Sequence, residues 1–588
     1  IKTNSKAFFK YANQKRKVRS RIGPLMTNSG ELTENAREMA DILSHQYESV
    51  FSITQEEQKI KNGSDFFTDT EDQDENTNFL NDIDFSIEDV EKVLLALPNN
   101  SAAGPDGVPS ELLKKASYGL KKPLWLLYRR SLDYGQPLEK VYSAAISPIF
   151  KGGSKNEPQK YRPVSLTSHI VKAFERLLRK KMVYHLEENE LITKCQHGFR
   201  EKRSTLTQLL EFYETISELS ETGHSVDAIY LDYAKAFDKV SHSILIKKLK
   251  QKARIGGKIG RWIHDFLTNR VQYVVVNGES SESVPVRSGV PQGTVIGPIL
   301  FIIMLSDIDE VVMNHLSMYA DDSRLYGKVT NLEEASTLQE DLDRIYTWAK
   351  ENIMEFNAEK FEVVRYTGRN EELKTNTSYT SPAGEPIQEK ENLKDLGVIM
   401  SNTLRFDDHI GTIVNKATQM SGWILRSFKT RTPDTMMLLF KQLVRNGLEY
   451  CCPLWSPNEE HLKKKIEKVQ RSFTRRIDCF SGSDRPNYWE RLRLLHIYSM
   501  ERRRERYIIM YTMKALLGLV PNPGFITRKN ERTGLHLIVP WSKGNRGILT
   551  EKMKDRSLLV QGAKLFNILP KDDVTSMDAY KRRLDNFL

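Results

Sequence analysis

The chain is poor in cysteine, with only Cys195, Cys451, Cys452 and Cys479 in 588 residues, and it has no Cys-x-x-Cys pair. Adjacent Cys451 and Cys452 cannot easily ligate one zinc ion. Neither a disulfide framework nor a zinc module is expected, and reduced thiols in an intracellular protein are the simple reading. No signal peptide is expected either. The apolar run from Val295 to Leu305 is too short to span a bilayer and is broken early by Gly297-Pro298. No repeats stand out beyond local patterns.

What is present is globular: 39% hydrophobic and 28% charged residues in a chain too long for one compact core, so several domains are expected. The net charge of +11 suits a polyanionic partner. Its distribution says more. Residues 1–22 carry eight Lys or Arg and no acid, residues 51–90 carry twelve acids against Lys59 and Lys61, and residues 461–510 carry fourteen Lys or Arg against six acids. A basic arm and a basic C-terminal helical region would follow a nucleic-acid backbone with salt-sensitive affinity. The plainer alternative for each is a solvated helix face.

The most informative residues are Met318-Tyr319-Ala320-Asp321-Asp322, set between the short apolar runs Leu316 to Tyr319 and Leu325-Tyr326. Such runs around a polar turn predict a β-hairpin with the two acids at its tip. Two carboxylates held close together need a cation, and magnesium prefers oxygen ligands. Upstream, Ile229-Tyr230-Leu231-Asp232 reads as a buried strand delivering a carboxylate at its end, 89 residues before Asp321. Carboxylates converging from two neighbouring strands would form a two-metal site, with ions roughly 3.5–4 Å apart.

Further motifs occur in order. They are Asn99-Asn100-Ser101-Ala102-Ala103-Gly104-Pro105-Asp106-Gly107, Ile146 to Lys151, Tyr161 to Leu166, and His197-Gly198-Phe199-Arg200. The Asp232 segment, Gly289-Val290-Pro291-Gln292-Gly293, Tyr319 to Asp322, Asn357-Ala358-Glu359-Lys360 and Leu396-Gly397-Val398 follow. On these motifs the chain resembles the reverse transcriptases of non-LTR (LINE-type) retrotransposons, closest to the jockey and chicken-repeat group. The resemblance covers nearly all of the chain. It departs at Ser306, where the family usually has Asn, and at Phe361, where Thr or Cys is usual.

The resemblance implies an α+β right-hand polymerase with a ferredoxin-like palm and a helical thumb. The expected divisions are a basic arm and helix at 1–53, an acidic linker at 54–83, fingers with an N-terminal extension at 84–223, palm at 224–404, thumb at 405–480, and a basic C-terminal domain at 481–588. Ser86-Ile87-Glu88-Asp89 predicts a capping box for a helix to about Leu97, and apolar spacing predicts helices over 109–134, 165–190 and 292–304. Strands alternating with helices in the middle of the chain agree with an α+β palm.

The metal set follows from both readings, whereas the roles of Phe237, Lys151, Arg162 and Lys360 are what the resemblance implies. Asp232 and Asp321 are expected to bind two Mg²⁺ ions, with Mn²⁺ as a substitute. Asp322 is expected as a more distant carboxylate, and the Tyr233 backbone carbonyl as a further ligand. Phe237 is expected under the incoming sugar, where a bulky ring excludes a 2′-hydroxyl. Lys151 and Arg162 are expected on the triphosphate. The Gly289–Gly293 turn, with Gln292 and Gly293, is expected against nucleotide or template. Lys360 is expected near the pyrophosphate as a general acid. Arg200, Arg270 and Tyr319 are expected on template or primer. Each has a structural alternative: a core Phe, a surface Lys, a plain turn, or a lysine balancing a helix dipole.

The expected activity is RNA-directed DNA polymerisation by nucleotidyl transfer, with an RNA template, a DNA primer or target, and dNTPs as partners. No membrane partner is expected, and the expected place is nucleus and cytoplasm as a ribonucleoprotein. The rival is a catalytically drifted remnant that still binds RNA. The chain opens at Ile1 and shows no nuclease motif before Asn99, so a missing upstream endonuclease is also expected.

Overall fold

The computed structural model describes residues 22–52, 78–366, 378–539 and 557–568 with short breaks, and isolated positions from 577 to 585. The basic arm, most of the acidic linker and most of the expected terminal helix therefore lie outside the described residues. Contacts divide the chain into two units. One holds residues 1–199, 233–312 and 343–357, and the other holds 200–232, 313–342 and 358–588.

The first unit begins with helix α1 (Ala36–Glu48), where the Asn35 side chain accepts from the Arg37 and Glu38 amides. Helix α2 (Ile87–Leu95) has the expected capping box, with Ser86 and Asp89 each serving the other's backbone amide. Where one helix was predicted over 109–134, two follow, α3 (Ser110–Lys115) and α4 (Ser117–Asp133), divided at Ala116. Strands β1 (Ser143–Phe150) and β2 (Tyr161–Leu166) pair antiparallel, with Ile149 opposite Arg162. Helix α5 (His169–Glu188) starts later than the predicted 165, because 163–166 belong to β2 and Ser168 caps the helix.

The chain passes through α6 (Thr205–Glu221) and β3 (Val226–Leu231) of the second unit before returning to the first. Helices α7 (His242–Gln251) and α8 (Gly257–Thr268) then lead to β4 (Val271–Val276), which pairs parallel with β1. The first unit's sheet thus runs β2-β1-β4, with short strands 279–280 and 284–285 beside β4. Alternation in β4 buries Val274 and Val276 against Met39, Leu43 and Tyr47 of α1. Apolar burial of this kind holds α1 to the sheet. A second core stacks Tyr128 on Phe174 and sets Trp262 edge-on to Phe174. Helix α9 (Gly297–Met304) begins five residues after the predicted 292. At Gly297 a Cβ would lie 2.6 Å from the Pro291 carbonyl oxygen, so the turn packs tightly on itself before the helix starts.

The second unit is built on an antiparallel sheet. The hairpin β5 (His315–Tyr319) and β6 (Asp322–Lys328) lies beside central β3. Helix α10 (Leu332–Glu351) crosses from the second unit to the first, and β7 (Glu362–Tyr366) then joins the other edge of β3. With short strand 388–389 outside β7, the order is 388–389, β7, β3, β6, β5. A separate hairpin follows, β8 (Asn392–Asp395) and β9 (Val398–Ser401). The remainder is mostly helical, as its apolar spacing predicts: α11 (Asp407–Ser427), α12 (Glu460–Thr474), α13 (Tyr488–Leu494), α14 (Met500–Leu516) and α15 (Leu558–Ile568). Helix α12 buries Leu462, Ile466, Val469 and Phe473 and exposes Lys464, Lys465, Lys468 and Arg471. Mixed helix and sheet agree with the expected α+β class. No described helix is long and apolar enough to cross a membrane.

Glu214 of α6 joins the two ends of this unit. It is 6% exposed and accepts from the Ser557 hydroxyl at 2.8 Å and the Leu558 amide at 3.0 Å, at the start of α15. Burial outweighs these donors and pushes its carboxyl up to about 7. A raised carboxyl favours the folded state when protonated. Its contribution is therefore fully present below about 4.5 and lost as pH rises through about 7. Denaturant unfolding of Glu214→Gln against the parent should show this, with the parent losing on the order of 3 kcal/mol more than the variant across that window.

Candidate active site

Strand pairing alone sets the geometry of the acids. Ser323 of β6 lies opposite Leu231 of β3, so the same register continued by one step sets Asp322 opposite Asp232. Directly opposed residues have Cβ atoms about 5 Å apart. Tyr319 pairs with Asp322 across the hairpin, leaving Ala320 and Asp321 as its two-residue tip. Ala320 takes the left-handed conformation at φ 58°, a strained choice for a residue with a Cβ. The tight turn that brings Asp321 and Asp322 to the sheet end thus has a local energetic cost.

The electrostatics follow from crowding. Desolvation first, and then the charges of Asp321, Asp395 and Asp232, push the Asp322 carboxyl up to about 6, while Arg324 works against them. Asp232 has a direct partner, since the Lys360 Nζ lies 2.7 Å from its Oδ2. Both side chains are well exposed, so this pair adds little stability. Among the described residues no group of three or more His, Cys, Asp or Glu side chains stands together as a metal site. An ammonium, that of Lys360, compensates Asp232. The donor chemistry still fits a hard divalent cation. The set is carboxylate oxygen only, and its mutual repulsion is what such an ion offsets.

Of the residues expected to handle nucleotide, several lie together in the first unit. Lys151 follows β1 and Arg162 is exposed on β2. They line a cavity of about 60 Å³ with Tyr47, Lys235, Asp238 and Gln272. Burial pushes the Asp238 carboxyl up to about 6, against the opposing effects of the Gln292 amide, Lys235, Lys151 and Arg162. The Gln292 side chain donates to Asp238 Oδ1 at 2.9 Å, so this amide hydrogen is committed within the protein. Phe237 is half-buried, stacked on Phe301 at 4.2 Å and edge-on to Phe199. Tyr233 is buried and stacks on Phe356. Arg200 is half-buried.

Arg270 requires a correction. It is 3% exposed, packed over Phe266, with Glu175 as its opposite charge. A guanidinium that solvent barely reaches offers no surface to a phosphate backbone, so Arg270 is an interior residue. Sequence reasoning missed Tyr47, Lys235 and Asp238 near the cations, and Gln208, Arg324 and Asp395 near the acids. Lys235 and Asp238 lie inside the motif that carried Asp232. The others left no signal, because their partners come from distant parts of the chain.

Residues 151–400 match the family described as reverse transcriptase (RNA-dependent DNA polymerase). This segment is similar to reverse transcriptase domains. Beyond it, the chain is 27% identical over 485 residues to the probable RNA-directed DNA polymerase from transposon BS of Drosophila melanogaster, covering 78% of this chain and 51% of that protein. It is 28% identical over 408 residues to the RNA-directed DNA polymerase from mobile element jockey of the same fly, covering 67% and 44%. The X-element relative is 27% identical over 402 residues, covering 66% and 43%. The chain thus spans about half the length of the curated relatives it matches. These relatives agree with the non-LTR retrotransposon resemblance. The matched segment contains every expected catalytic and nucleotide-handling residue, from Lys151 to Lys360.

Gly293 tests the packing of the Gln292 turn. Its φ is 106°, and a Cβ there would lie 2.6 Å from the Ser165 carbonyl oxygen. Gly293→Ala should cost about 2 kcal/mol or more, measured as a lower melting temperature.

Proposed function

We propose that this chain is an RNA-directed DNA polymerase that copies RNA into DNA by nucleotidyl transfer. The observation that carries this reading is the placing of Asp232 and Asp322 on facing strand ends, with Asp321 at the hairpin tip, inside a reverse transcriptase domain. In the reaction a primer 3′-oxygen bonds to the α-phosphorus of a dNTP, the α–β phosphoanhydride breaks, and pyrophosphate leaves.

Reverse transcriptase domains depend on divalent metal. Two Mg²⁺ ions, held by Asp232 and Asp321 with Asp322 and the Tyr233 carbonyl in support, would supply Lewis acidity to the attacking and leaving oxygens. The chain's own residues do the rest. Lys360 holds a proton at Nζ beside Asp232 and gives it to the departing pyrophosphate. Lys151 and Arg162 offset charge on the triphosphate. Phe237 denies room to a 2′-hydroxyl on the incoming sugar. Gln292 and Gly293 shape the turn that faces nucleotide or template, and Arg200 and Tyr319 touch template or primer. The exposed cations of α12 follow a nucleic-acid backbone, so binding weakens as salt rises.

By likeness to the mobile-element relatives, we assign element RNA as template, a nicked chromosomal end as primer, and a nuclear and cytoplasmic ribonucleoprotein as the setting. The palm at 224–404 and thumb at 405–480 are assigned on the same grounds.

Primer extension on poly(rA)/oligo(dT) with Mg²⁺ and dTTP tests the reading. Extension by the parent should fall about a thousandfold in Asp321→Asn, as loss of several kcal/mol of charge stabilisation requires. Folded parent protein that binds the duplex without extending it would instead identify a drifted RNA-binding remnant.

A further inference from the structure

The cations of the C-terminal helices are matched to acids unevenly. On α14, Arg502 pairs with Glu505, Arg503 with Glu449 and Arg506 with Asp585. On α12, Lys464, Lys468, Arg471 and Arg475, the last at its C-cap, are all exposed. Their spacing of four, three and four residues sets them in one stripe, roughly 16 Å long. Among the described residues no carboxylate forms an ion pair with any of the four.

Arg491 of α13 reports how closely the cations crowd. It is 5% exposed and donates to the Arg471 carbonyl and the Thr474 hydroxyl, both at 3.4 Å, which ties α13 to the end of α12. Burial, and then the charges of Arg485, Arg471 and Arg475, hold its guanidinium below the usual arginine range, against Tyr488. Three solvent-reached guanidinium groups thus gather around a fourth. Such an arrangement is strained by repulsion and gains from an anion.

Trp489 stands at the same junction. It is 58% exposed, whereas every other tryptophan among the described residues is buried or half-buried. Its ring lies 5.3 Å from that of Tyr488 and is tilted 54° to it, so Tyr488 does not stack on its face. The exposed Arg471 guanidinium lies over the same Tyr488 ring at 4.8 Å. Tyr488 thus joins the indole to the end of the cationic stripe. The support is firm. The Tyr488 hydroxyl donates to Glu467 and accepts from Gln470 Nε2 at 3.0 Å. Asn487 and Glu490 close a capping box around it, which commits the Glu490 carboxylate to the Asn487 amide. The indole is therefore held out to solvent on fixed backbone, and its apolar surface gains only if something covers it.

A line of cations ending at an open aromatic face suits a single nucleic-acid strand. Phosphates meet the cations and a base stacks on the ring. Paired bases are stacked inside a duplex and offer no face, so the indole selects an unpaired strand. A membrane surface would need an apolar stripe, and the apolar residues of α12 are buried within the unit. In the proposed reaction the strand that brings unpaired bases is the RNA template.

We propose that the α12 stripe and Trp489 form a binding site for single-stranded RNA, with the backbone along Lys464 to Arg475 and an unpaired base stacked on the indole. This rests on the reading of α12 as a nucleic-acid face, and not on catalysis.

Fluorescence anisotropy of the full chain tests it with probes of equal length: oligo(rU), an abasic ribose-phosphate strand, and an rU·rA duplex. The parent should bind oligo(rU) more tightly than the abasic strand, which carries the same charge. Trp489→Ala should weaken oligo(rU) roughly five- to a hundredfold, the span of one base–aromatic stack, and leave the other probes within about twofold. Trp489→Phe, which keeps an aromatic face, should retain most of the affinity. Both variants should keep the parent's melting temperature, because the ring is exposed. Arg471→Gln/Arg475→Gln should weaken oligo(rU) and the abasic strand alike and lower the slope of log affinity against log salt by about 1.4. Unchanged oligo(rU) affinity in Trp489→Ala, or an equal loss for the abasic strand, overturns the stacking site and leaves the cationic face standing. An arginine double variant that binds every probe as the parent does would overturn the reading of α12 and this proposal with it.

Discussion

Mutual repulsion among carboxylates at one end of the β3–β6 ladder is the constraint on which the rest of the site depends. No carboxylate gains by having Asp232, Asp321, Asp322 and Asp395 as neighbours, and the Asp322 carboxyl is raised to about 6 as a result. What holds them there is the backbone. The antiparallel register between β3 and β6 continues for six residue pairs from Val226–Lys328 to Leu231–Ser323. A one-residue slip would turn every side chain of β6 to the other face, and burial on that sheet forbids it. Ladder hydrogen bonds and apolar burial thus impose an arrangement that electrostatics alone would disperse. The compensating charges are arranged accordingly, with Lys360 on Asp232 at the exposed end and Arg324 on Asp395 in the interior.

The first unit shows the same logic with the signs reversed. Lys151, Lys235 and Arg162 stand near one another, and one half-buried acid, Asp238, answers them. Burial disfavours the charged form of Asp238, and the Gln292 amide and the cations favour it. Helix α1 belongs to this arrangement, although it lies outside the reverse transcriptase domain. Its apolar face is buried on β4 and its last turn presents Tyr47 to the cavity. Packing of an amphipathic helix, rather than any motif, brings that residue to the site.

Much of the fold was legible because the local patterns were strong. The Asp321-Asp322 turn between apolar runs, the Ser86–Asp89 capping box and the β3 run each depend on neighbours within a few residues. Each occurs within a residue or two of its expected bounds. The helix predicted from 165 starts late because residues 163–166 pair with β1 as part of β2, and the one predicted from 292 starts late because the turn before Gly297 packs on itself. Arg270 read as a surface cation because a lone arginine after a polar helix end carries no mark of burial.

The sequence by itself marked Asp232, Asp321 and Asp322 as candidates and determined their order along the chain and the α+β class, since strand periodicity and turn chemistry act over short distances. It also marked the reverse transcriptase domain through motifs whose order is a one-dimensional property. Tertiary structure alone decided which charge meets which. Lys360 is 128 residues from Asp232, Arg324 is 71 from Asp395, and Gln208 is 109 from Ser317. Pairing over such separations depends on strand order, register and the face a helix presents. None of these is a property of any one segment.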